Sequence, residues 1–214
     1  MDTKEIIRDI ADKNFDKFKY VEQIQFDEEL RDLIIDQMIS NKNIMVYYHC
    51  YDIVSEASRS KPELFYKYWN TCRNLLHHEN SYHRDIGLTV IANLSKSDEN
   101  NLIIEVIDEY LEHARDDKFM TSRCCIKNSS KILLNKPELM KKIIVYFINS
   151  ADSCNYPIKQ KELLISDIIE AFDTIYDKYD NKVELMDFVR DKTTSGSPKT
   201  RKAAKEFILK YQRH

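Results

Sequence analysis

The densest group of chemically capable side chains lies between residues 72 and 83. Cys72 is followed by His77, His78 and Glu79, and then, past Asn80-Ser81-Tyr82, by His83. Thiolates and imidazoles are zinc ligands, and a site drawn from Cys72, His78 and His83 is conceivable across a turn. A zinc-protease helix places two histidines four apart on one face. His78 and His83 are five apart, and Asn80-Ser81 predicts a turn between them. The preferred reading is histidines complementing the negative end of a helix dipole. No metal and no other cofactor is expected.

The remaining candidates are weaker as chemistry. Cys124 and Cys125 are adjacent, so on a helix their side chains diverge by about 100°, and they read as small packed residues. The five cysteines are odd in number and form no C-x-x-C pair, which predicts reduced thiols and a cytoplasmic setting. Acid runs such as Asp27-Glu28-Glu29, Asp108-Glu109 and Asp116-Asp117 read as solvated helix faces. No carboxylate stands out as a general acid or base, and no catalytic residue is nominated.

Binding residues are easier to nominate. Tyr48, Tyr51 and Tyr82 could anchor a partner, because aromatic side chains give large contact area with a polar tip. Arg84 and Arg123 have two readings. One binds an acidic partner. The other, which we prefer, bridges to a carboxylate or carbonyl of the neighbouring repeat. From Lys192 to His214 there are seven bases and one acid, a local +6 that leaves −9 for the rest. Lys199, Lys202 and Lys205 are the phosphate-binding candidates in that stretch.

These residues need a scaffold, and composition says which kind. The chain has 214 residues, with 43% apolar and 32% charged residues, only two Gly and four Pro, and a net charge of −3. So few glycines exclude a phosphate-binding Gly loop, a dinucleotide fingerprint and a nucleophile elbow. The same shortage disfavours hairpins. A dedicated duplex-binding protein would be basic overall. The first 18 residues alternate charges and make no signal peptide, and no apolar run is long enough for a membrane span.

Apolar residues recur every three or four positions almost throughout, as in Leu64, Phe65, Tyr68, Trp69, Cys72 and Leu75. The pattern predicts helices over 2–19, 26–40, 43–59, 62–78, 81–95, 99–115, 119–134, 137–149, 157–179, 182–192 and 197–212. Pro62 and Pro137 sit where a first turn accepts proline, and Asn80 and Ser197 are capping residues. Asn135-Lys136, 152–155 and 193–197 read as connectors. No stretch alternates as a strand does.

The pattern also repeats. Arg84 and Arg123 are 39 residues apart, and Arg201 follows 78 later; Leu64, Leu102 and Leu139 advance by 38 and 37. Segments 80–87 and 197–204 each open with a capping residue, continue to an Arg four positions on, and reach a small residue, Gly87 or Ala204, three further. Segment 119–126 follows more loosely, and Glu162 stands where the phase calls for Arg. On these residues the chain resembles the HEAT and armadillo-like repeat group. The resemblance implies an all-α, right-handed α-α superhelix of about five stacked helix pairs, each unable to bury its apolar stripe alone. It implies one repeat domain over 1–214, with 1–25 as a cap and 197–212 as a basic capping helix.

Function follows from that expectation only in class. The leading reading is a noncatalytic scaffold that binds a protein or peptide on its curved surface. The alternative is a DNA-binding protein like the HEAT-like alkylation-repair glycosylases, whose basic groove holds DNA. A HEAT-like lyase that attends phycobilin attachment is a third possibility with no specific residue pattern behind it. Membrane partners are not expected.

Overall fold

The computed structural model describes residues 2–151 and 153–212. Asp152, expected in a connector, and Arg213, one of the terminal bases, lie outside the described residues, as does His214. The described residues are helical without a strand, and their contacts divide the chain into two compact units, Met1–Glu99 and Asn100–His214.

The first unit holds α1 (Thr3–Ala11), α2 (Lys17–Phe26), α3 (Glu28–Ser40), α4 (Ile44–Ser60), α5 (Trp69–Leu75) and α6 (Ser81–Leu94). The second holds α7 (Leu102–Glu112), α8 (Phe119–Asn135), α9 (Met140–Ser150), α10 (Ile158–Asp173), α11 (Lys182–Asp191) and α12 (Pro198–Tyr211). Capping chemistry sets many of the starts. The side chains of Asp27, Asn43, Asn80 and Ser197 accept from the backbone N–H of Leu30, Met45, Tyr82 and Thr200.

Two departures from the periodicity have local causes. The helix expected over 2–19 is broken, and α2 covers the 20–25 stretch left between helices. Asp12 Oδ1 accepts from the Asn14 N–H at 2.7 Å, closing an Asx turn, and Asp16 then caps α2 through the Lys19 N–H. Residues 62–68 form a 3₁₀ helix in place of the first α turns of the 62–78 helix. Side chains three apart eclipse in a 3₁₀ helix, and Pro62, Phe65 and Tyr68 all enter the core along that row.

Within the first unit α4 packs against α2, α3 and α6, and α6 lies on α5. Within the second, α10 lies between α8 and α12, and α11 packs on α12. Each unit therefore has a layer of alternate helices, α2–α4–α6 or α8–α10–α12. Cores of branched aliphatics and aromatics run beneath, including Ile24, Ile53 and Phe65 in one and Tyr110, Phe147 and Phe172 in the other.

The repeat length reappears in the bonds between helices. His49 Nδ1 donates to the Ile10 carbonyl at 2.6 Å, 39 residues away. Tyr51 meets Thr89, and the Asn93 amide donates to the Ser55 carbonyl, each 38 residues apart at 3.0 Å. In the second unit Thr200 donates to the Glu162 carbonyl at 2.7 Å and Tyr211 to that of Asp173 at 3.1 Å, again 38 apart. Glu162, the residue that departs from the Arg phase, thus still serves an inter-repeat bond through its backbone.

Candidate functional site: the second-helix walls

The repeated arginines are built into the connectors. Arg84 Nη1 donates to the carbonyls of His78 at 2.9 Å and Glu79 at 3.0 Å, six and five residues upstream. Arg201 Nη1 does the same to Ser195 at 2.6 Å and Gly196 at 3.0 Å. A guanidinium suits this work because its planar fork offers several donors that never deprotonate. Helix ends leave carbonyls without an intrahelical partner, and here a side chain from the next helix supplies the donors. Arg84 is 8% exposed.

Arg123 does something else. Its Nε and Nη2 grip both oxygens of Asp167, at 2.6 and 2.9 Å, linking α8 to α10. The Asp167 side chain is 0% exposed. Lys127 and Lys199 stand at 3.8 and 3.6 Å from the same carboxylate. Asp167 and Lys127 were not singled out in the sequence. The signal was faint: an acid 44 residues after an Arg, in the helix one repeat on.

Three lysines of the basic terminal helix meet carboxylates. Lys199 also meets Glu170 at 3.1 Å, Lys202 meets Glu206 at 3.8 Å, and Lys210 holds Asp173 at 2.9 Å. Glu170 and Asp173 of α10 and Lys199, Lys202, Glu206 and Lys210 of α12 line a shallow groove of about 320 Å³ together with Ile169, Ala203 and Phe207. Of the three phosphate-binding candidates, Lys199 and Lys202 lie in this mixed-charge groove. Lys205 lies exposed on α12.

The first unit carries an aromatic wall. Tyr48 is 45% and Tyr82 56% exposed, and Met45 adds a further apolar surface. Met45, Tyr48 and Asp52 follow at helical spacing on α4. Tyr48 and Tyr51 meet edge to face with centroids 6.1 Å apart. Tyr51 is half-buried and tied to Thr89. The Tyr47 ring lies 5.2 Å from that of His83, the residue after Tyr82, so the first turns of α4 and α6 lie side by side. Asp52 sits partly buried on the same helix, and burial pushes its carboxyl above the ordinary carboxylate range, against the opposing pull of Lys17 and His49.

The histidine group does not converge on a point. His78 and His83 stack at 4.2 Å, His78 Nδ1 accepts from the Asn80 N–H at 3.0 Å, and His83 Nε2 lies 3.2 Å from the Ile39 carbonyl. Cys72 is fully buried, and burial pushes its thiol up to about 12. Among the described residues no three His, Cys, Asp or Glu side chains are grouped to hold a metal ion. Cys125 is buried, donates to the Tyr110 carbonyl at 3.3 Å, and its thiol is pushed well up by burial. All five cysteines are free. Among the described residues no helix is long and apolar enough to cross a membrane.

No protein-family model matches the chain, and no curated protein matches it significantly.

Proposed function

We propose that this chain is a noncatalytic helical-repeat scaffold that binds a protein or peptide partner, with the aromatic wall of α4 and α6 as the receiving surface. Each unit is read as a short HEAT-like stack whose layers follow the right-handed superhelical path of that group. The bonds recurring at 38-residue separation support the stacking. The observation that carries the functional reading is the exposed Met45 and Tyr48 in line with the half-buried Asp52 on α4, with the exposed Tyr82 in the first turn of the adjacent α6. Aromatic anchors rimmed by polar groups are the usual energetic centres of protein interfaces. The pairing of Lys199, Lys202 and Lys210 with carboxylates weighs against the DNA alternative, because cations already paired release fewer counterions on phosphate.

The test is affinity capture from one native extract with the full chain and with its Tyr48→Ala/Tyr82→Ala variant. Both positions are exposed, so melting is expected to move by only a few degrees. A specific protein held by the parent chain and lost by the variant is the expected result. Identical capture by both chains would overturn the assignment of this wall.

A further inference from the structure

A second surface in the first unit, sharing no residue with the tyrosine wall, has a definite chemistry. Helices α1, α2 and α3 enclose an open groove of about 670 Å³. Its apolar lining comes from Ile6, Tyr20, Phe26, Leu30 and Leu33. Phe26, the last residue of α2, is 84% exposed. A phenylalanine so placed leaves most of its ring in water, a position that burial against a partner would favour.

The polar lining has one sign. Glu22, Asp27 and Glu29 border the groove, and no Lys or Arg does. Asp27 caps α3. Glu22 and Glu29 are exposed, and neither side chain forms a hydrogen bond or ion pair among the described residues. The neighbouring Glu28 is different, being paired with Lys67 at 2.5 Å. The imbalance extends around the groove. Residues 1–40 carry eleven acids and six bases, a net −5, whereas residues 41–99 carry seven of each. Residues 1–40, which form the three helices that line the groove, thus carry the whole excess negative charge of the first unit.

We propose that this groove docks a basic amphipathic helix of a partner protein, its apolar stripe against Phe26, Leu30 and Leu33 and its flanking Lys or Arg against Glu22 and Glu29. An apolar trough between helices receives a helix through residues spaced three and four apart. One-sign acidic borders select for basic flanks and raise the association rate. The proposal goes beyond the function assigned to the tyrosine wall and stands or falls separately from it.

The experiment uses the full chain and three labelled synthetic 16-residue peptides, read by fluorescence anisotropy at low salt. One has leucines at helical spacing flanked by lysines, the second replaces every lysine by glutamate, and the third scrambles the basic sequence to destroy its apolar stripe. The basic helical peptide is expected to bind at micromolar concentration and the other two not to bind. Glu22→Lys/Glu29→Lys and, separately, Phe26→Ala should each weaken it about tenfold or more, while Tyr48→Ala/Tyr82→Ala leaves it unchanged. These groove positions are exposed, so circular dichroism melts should match the parent chain. No binding of the basic peptide at 100 μM would overturn the proposal. So would equal binding of the acidic or scrambled peptide, or unchanged affinity in the groove variants.

Discussion

Arg84, Arg123 and Arg201 occupy one phase of the repeat but do two jobs. Arg84 and Arg201 tie down the carbonyls five and six residues behind them, and Arg123 neutralises a buried acid in the next repeat. Removing a donor from a carbonyl that water can still reach costs about 1–2 kcal/mol. Breaking a buried ion pair costs up to about 3–5 kcal/mol, here reduced by Lys127 and Lys199, which stay near the Asp167 carboxylate. Arg123→Met is therefore expected to lower the unfolding free energy more than Arg201→Met, and Arg123→Met/Asp167→Leu to recover much of the loss. Urea titration of the variants measures both. A loss no greater in Arg123→Met than in Arg201→Met would refute the buried-pair account. His83 supplies the residue-scale pH dependence. Burial, with the neighbouring His78, lowers its pKa below the ordinary 6.5, while the Ile39 carbonyl opposes this. The unfolded chain then binds the proton more readily than the folded one. The contribution is complete above about 6.5, the ordinary histidine value, and is lost as pH falls through the lower folded value. Melting temperature is expected to drop between pH 7.5 and pH 5, with a shallower drop in His83→Gln.

At the scale of elements, the contact between α5 and α6 depends on an absent side chain. A Cβ added to Gly87 would lie 2.8 Å from the Cys72 carbonyl oxygen, 3.1 Å from Leu75 Cβ and 3.3 Å from Leu76 Cδ2. The first partner is backbone and cannot swing aside. Gly in a helix interior gives up about 1 kcal/mol to Ala in propensity, so a tolerant site would be stabilised by Gly87→Ala. Here the clash is expected to reverse the sign, with overpacking costing about 1–3 kcal/mol and Gly87→Leu costing more. A calorimetric melt of Gly87→Ala at or above that of the parent chain would show that α5 can retreat. The sequence already pointed to Gly87 as a close approach, because a glycine inside a predicted helix gives up propensity that close packing can offset. It did not show the 3₁₀ helix over 62–68. Phe65 and Tyr68 satisfy three-residue and mixed three- and four-residue spacing equally, and the Tyr68–Asp32 hydrogen bond that accompanies the 3₁₀ helix is long-range. The break at 12–16 could have been read locally from Asp12, Asn14 and Asp16, all of them turn formers.

At the scale of the molecule, charge is placed more unevenly than a net −3 suggests. Residues 1–99 sum to −5 and residues 100–214 to +2. Most of the lysines of α12 that could have met phosphate already face carboxylates of α10 or α12 itself. The chain is therefore expected not to retard a 30-base-pair duplex at micromolar protein in 20 mM salt, where electrostatic binding is strongest. A clear shift that weakens steeply with added salt would restore the DNA reading.

The sequence alone determined the helical class, most of the helices and the 38–39-residue period, because these follow from short-range rules: apolar spacing, capping residues and scarce glycine. It nominated Tyr48, Tyr51 and Tyr82 but not Tyr51's bond to Thr89, and it preferred a bridging role for Arg84 and Arg123 without naming the partners. Only the tertiary structure put Asp167 beneath Arg123, placed Glu170 and Asp173 opposite the terminal lysines, and left Phe26 bare over an acid-bordered groove. Each of those facts depends on which residues of distant segments meet. A one-dimensional pattern fixes the face a side chain occupies but not the neighbour it finds there.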